Sequence, residues 1–146
     1  MEARIRRVLL GAGEHGPRTF LVLILTAGAL TIGGYALDLV GVDGMVIVPI
    51  VGGLVGFGVA TAVGYLRGGV VTAVLGAYPP LVGPLIEGTV RRTDGTVPER
   101  LAVIDPEYFA FLGVIAFQTG IAGVVVGYLA RTGVEFVRRS GTPVRP

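Results

Sequence analysis

MVIVPIVGGLVGFGVATAVGYL, residues 45–66, is twenty-two residues long and carries no formal charge. At a rise of about 1.5 Å per residue such a run matches the apolar thickness of a bilayer. Within it Gly52, Gly56, Ala60 and Gly64 recur every fourth residue. They line one side of a helix as a glycine zipper, the pattern that lets two helix backbones approach closely in lipid.

Three further apolar stretches surround this one. Residues 19–37 read as the first span, 45–66 as the second, 69–90 as the third and 108–130 as the fourth. Charged residues make up 15% of the 146-residue chain. A soluble domain carries about 25%, so the shortfall belongs to the four stretches. The expected fold is all-α: a single transmembrane domain built as an integral membrane four-helix bundle. There is no cysteine, which excludes disulfide and thiol chemistry. The net charge is only +2, too little to imply a nucleic-acid partner.

Residues 38–44 form a short polar turn, Arg67-Gly68 a tighter one, and 91–107 the one long polar connection. A basic tail, 131–146, follows the fourth span. Before the first span, Ile5, Val8, Leu9 and Ala12 fall at helical spacing beside Arg4 and Arg7, as in a helix lying on a membrane surface. Arg6-Arg7-Val8-Leu9-Leu10 also resembles the core of a twin-arginine export signal, with Ala27-Gly28-Ala29 as a cleavage site. Glu14, His15 and Arg18 interrupt that pattern and favour a cytoplasmic anchor. With four spans, nine arginines fall on the side of the termini and three on the other. The excess places both termini in the cytoplasm of a multi-pass cell-membrane protein. A re-entrant third span would change the count to eight against four.

The second and fourth spans end alike, on Val63-Gly64-Tyr65-Leu66-Arg67 and Val126-Gly127-Tyr128-Leu129-Ala130-Arg131. Tyr suits the headgroup level and Arg the water beyond it. In that register Gly56, Ala60 and Gly64 match Thr119, Gly123 and Gly127. Two helical hairpins set in parallel would produce the echo. The ending after the small-residue helix also resembles that of uncharacterised small glycine-rich multi-pass membrane proteins of halophilic archaea. The likeness covers about residues 52–69 and implies no activity.

Polar groups inside spans are the candidates for function. Glu87 stands three residues before the end of the third span, with Arg91 at i+4. It reads as an interfacial ion pair or, alternatively, as a cation or proton site. Gln118, near the centre of the fourth span, is expected to bond inward, with Thr26, Thr31, Thr61 or Tyr78 in reach. Tyr78-Pro79-Pro80 and Pro84 are expected to interrupt the third span, freeing the carbonyls of Leu75, Gly76 and Pro80. They imply either a kink or a transporter-like broken helix.

The only histidine, His15, and the only serine, Ser140, lie outside the spans. No catalytic pair, metal cluster or phosphate loop is legible, so neither an enzyme nor a cofactor is expected. The function expected first is a structural or accessory one exerted through helix packing. Its partners are the lipid bilayer and either a further copy, as a homo-oligomer, or another membrane protein. A small transporter or channel using the third span is the alternative.

Overall fold

The computed structural model describes residues 9, 17–37, 50–92, 96, 98–99 and 105–140. The side chains of residues 17, 36 and 87–92 fall outside that description. Outside it too are the loop 38–44, most of the connection 91–107, His15 and the Glu87–Arg91 pair. The chain is all-helical, with four helices and no strand among the described residues: α1 (Pro17–Ala36), α2 (Ile50–Tyr65), α3 (Val70–Arg92) and α4 (Pro106–Ser140). Two helices, α1 and α4, are long and apolar enough to cross a membrane. The apolar stretches Ile50–Tyr65 and Val70–Ile86 are shorter.

Local chemistry sets the helix ends. Asp105 caps α4: its carboxylate accepts the Glu107 N–H at 2.8 Å and its carbonyl the Phe109 N–H at 3.3 Å. Pro106 fills the first helical position, where a missing N–H costs nothing. At the close of α2, the Gly68 N–H reaches the Val63 carbonyl at 2.7 Å and the Arg67 N–H reaches Gly64 at 3.1 Å. These two bonds make a Schellman ending, with Arg67 at φ 57° in the left-handed position that glycine usually fills.

Two expectations are corrected here. Helix α3 runs unbroken through Pro79, Pro80 and Pro84. Its neighbours accommodate the prolines. The side chain of Pro79 lies 3.2 Å from where a Gly28 Cβ would stand, so α1 offers it a notch. The Pro80 carbonyl has no helical N–H partner, because residue 84 is proline; it faces the Cα of Gly52 instead. The second correction concerns the tail. Residues 131–140 of the basic tail continue the helix expected to end at residue 130, as the last turns of α4. No proline or glycine other than Gly133 interrupts them, so the helix outlasts the hydrophobic run.

Contacts fix the topology. Ile24 packs at Gly76 and Ile32 at Gly83, so α1 and α3 are parallel. Ala60 packs at Gly123, and Tyr65 and Gly64 at Gly127, so α2 and α4 are parallel. Ala77 packs at Gly56 and Pro80 at Gly52, so α2 and α3 are antiparallel. Helix α3 touches all three others, whereas α1 and α4 do not meet among the described residues. The section is a rhombus with α2 and α3 across its short diagonal. Its interior is made of small residues, among them Ala60, Ala73, Ala77 and Ala116, with Val63, Leu81 and Leu112 as the larger fully buried members. Large side chains point outward: Leu30 is 72% exposed, Leu54 67% and Leu129 62%.

Candidate functional site

The four-residue stripe of α2 serves two neighbours. A step of four residues advances about 400° around a 3.6-residue helix, so the stripe drifts about 40° per member. Gly52 and Gly56 therefore face α3, against Pro80 and Ala77, while Ala60 and Gly64 face α4, against Gly123 and Val124. Each approach is backbone to backbone. A Cβ on Gly56 would lie 2.8 Å from the Ala77 oxygen, and one on Gly64 2.5 Å from the Val124 oxygen. Gly127 is held as closely against the Thr61 carbonyl. In all three the glycine Cα–H points at a carbonyl, a weak bond worth about 0.5–1 kcal/mol.

Gly123 and Gly127 are buried in this seam, at the register in which the two motifs echo each other. Thr119 is only half-buried. The next residue, Gly120, makes the close approach instead: a Cβ there would lie 2.7 Å from Val74 Cγ2 on α3. Helix α3 contributes its own small positions, Ala73, Gly76 and Ala77, all buried. Their spacing of three and four residues is visible in the sequence beside the more conspicuous prolines.

Gln118 requires a further correction. It does not turn into the bundle but lies exposed on the outer face of α4. The groups expected to meet it are engaged elsewhere or turned away. Thr31 and Thr61 donate to the carbonyls four residues back, Ala27 and Phe57, each at 2.8 Å. The Tyr78 hydroxyl donates to the Phe109 carbonyl at 3.2 Å, tying α3 to the start of α4. Thr26 is exposed on α1. At the same end of the bundle, buried Tyr35 of α1 shares a hydrogen bond with the Gly52 backbone.

A polar cluster that the sequence reading did not assemble closes the opposite end. Arg131 donates from Nε to Glu135 at 2.8 Å and from Nη1 to the Tyr65 carbonyl at 3.1 Å. Arg67 approaches the same carboxylate at 3.7 Å. A cation thus caps the open carbonyls at the C-terminus of α2. The Arg131 hydrogen bond holds the Glu135 carboxyl below the usual glutamate range, helped by the charges of Arg131, Arg67 and Arg139. The i+4 spacing of Arg131 and Glu135 is its one local signal. Among the described residues, no three side chains of metal-ligating type come together. Compared with family models, curated proteins and solved structures, the chain has no match.

Proposed function

We propose that the chain is a four-span integral membrane protein with a structural or accessory function exerted through helix packing rather than catalysis. The observation that carries the reading is the inverted distribution of side-chain size. Alanine and glycine fill the interior, while leucine, valine and phenylalanine cover the outside. In water those outward side chains would be driven inward. In lipid they need not move, and tight small-residue packing holds the helices together instead. The topology agrees, since α3 runs beside α1 from the level of Phe20 and Gly68 to that of Ile32 and Gly83.

The polar ends fit the same placement. The Arg67–Glu135–Arg131 cluster would stand at the cytoplasmic surface, where arginines gather. Both termini would then be cytoplasmic, and the loops 38–44 and 91–107 would lie outside. The transporter reading, which draws on a break in α3, on Glu87 and on Gln118, gains no support from the continuous α3 or the outward-facing Gln118; the Glu87 side chain lies outside the described residues. Single cysteines at Asp43, Thr96 and Thr142 test the topology in a chain that has none of its own. An impermeant thiol reagent applied to intact cells should label the first two and spare Thr142→Cys. Labelling at Thr142→Cys, or protection at Thr96→Cys, would refute the four-span arrangement.

A further inference from the structure

The outer face of α4 holds a feature that lipid alone does not account for. Phe111, Val114, Gln118, Ala122, Val125 and Leu129 are all exposed. Their separations of three and four residues put them on one line along the helix, opposite the buried Leu112, Ala116, Gly120, Gly123 and Gly127. That spacing is a heptad-like seam of the kind through which two helices supercoil. Gln118 stands midway between Tyr108 and Arg131, at the centre of the expected span. Among the described residues its amide meets no hydrogen-bond partner. An amide in the middle of the hydrocarbon cannot turn to water.

We infer that this seam is the interface between two copies of the chain, with Gln118 of each bonded to Gln118 of the other. The inference rests on the membrane reading above. Copies inserted into one membrane share one orientation, so a two-fold axis between them must run along the membrane normal. A contact on such an axis pairs each residue with its own counterpart at equal depth. A carboxamide is both donor and acceptor, so two of them satisfy each other with reciprocal bonds. A lysine, which only donates, or an ionised glutamate, which only accepts, could not pair with itself in this way. A single polar residue in an apolar seam also fixes register and copy number. The seam continues past the membrane. Phe136 is in line with it and 71% exposed. It lies about 7.5 Å beyond Arg131, past the reach of the lipid tails. Glu135 and Arg131 turn towards α2 and leave the line free of charge.

The test uses the full chain in native membranes. Val125→Cys lies on the seam and Leu30→Cys on the exposed face of α1. Under mild oxidation the first should give a disulfide-linked dimer and the second should remain monomeric. Adding Gln118→Leu to Val125→Cys should weaken association about tenfold, the scale of a pair of interhelical hydrogen bonds. Gln118→Asn, which keeps the self-complementary amide, should retain most of the yield. Equal crosslinking at both positions, crosslinking of Val125→Cys only to a different protein, or a dimer yield indifferent to Gln118→Leu would each overturn the inference. An alkaline carbonate wash separates the two failures. Release of the chain by the wash refutes the membrane reading and this inference with it. A retained but monomeric chain refutes the inference alone.

Discussion

Glycine-to-alanine exchange at two positions of α2 should shift stability in opposite directions. A Cβ at Gly64 would stand 2.5 Å from the Val124 oxygen, 2.7 Å from its Cα and 3.0 Å from its carbonyl carbon. These are backbone atoms and cannot rotate aside. Restoring ordinary contact requires α2 and α4 to part by about 1 Å, and a gap of that size forfeits up to about half the attraction of the atoms lining it. Overpacking of this kind costs about 1–3 kcal/mol, offset by about 1 kcal/mol of improved helix propensity. Gly64→Ala should therefore destabilise by up to about 2 kcal/mol. Gly58, on the same helix, has nothing within 4 Å of its Cβ site. There the same exchange should stabilise by up to about 1 kcal/mol. Thermal unfolding in a mild detergent, followed by circular dichroism, measures both. Gly123→Ala should behave as Gly64→Ala does, since its Cβ would meet Ala60 and Thr61 at 2.5 and 2.9 Å. Combined with Gly64→Ala it should cost less than the sum, because helices already parted for one methyl accept the other. Equal shifts for Gly64→Ala and Gly58→Ala would refute the close approach of α2 and α4.

Two more outcomes follow from the arginine end of the bundle. Arg67→Gly should raise or leave unchanged the unfolding temperature, because it removes about 1 kcal/mol of left-handed strain and gives up only a solvent-screened ion pair; Arg67→Val should lower it. A large loss in Arg67→Gly would show that the arginine side chain, not the turn, governs this end. Glu135 titrates below its ordinary value in the folded chain, so its contribution is complete above the unfolded value of about 4.3 and is lost as pH falls through the lower folded one. The stability gap between the natural chain and Glu135→Gln should accordingly hold from neutral pH down to about pH 4 and close on further acidification; a gap that persists unchanged below that point, or no gap at neutral pH, would mean the ionised pairing contributes nothing.

Much of the fold is legible because hydrophobic length is a strong signal. The expected third span, 69–90, becomes α3 at Val70–Arg92, and the first, 19–37, becomes α1 at Pro17–Ala36. The end of α4 differs by ten residues for a physical reason. Hydropathy reports the solvent around a helix, while helicity follows from backbone chemistry, and nothing in residues 131–140 stops a helix. The unbroken α3 was not legible locally, because the notches that admit its prolines belong to Gly28 on α1 and Gly52 on α2. Val59 gives a similar lesson. It stands beside the small-residue row, yet it is 7% exposed and packs in the core with Ala60 and Val63. The outward turn of Gln118, by contrast, can be read from spacing. Five residues separate it from Gly123, about 140° around the helix, so a buried Gly123 leaves Gln118 outside.

The echo between α2 and α4 has a structural counterpart at the residues where the two endings diverge. Both endings carry Tyr, Leu and Arg, and parallel packing brings those endings to one level. After Leu66 the chain turns, and Arg67 takes the left-handed position that ends α2. After Leu129 the second ending inserts Ala130 and remains helical, which carries Arg131 on to another face. From there it caps the Tyr65 carbonyl, one of those left open when α2 stops. A turn after one ending thus creates the acceptor that the arginine of the other ending satisfies. Glu135, one turn further along α4, then binds both arginines and joins the helix that stops to the helix that continues. Shifting the second ending by one residue, through deletion of Ala130, would move Arg131 about 100° around α4 and uncouple the pair.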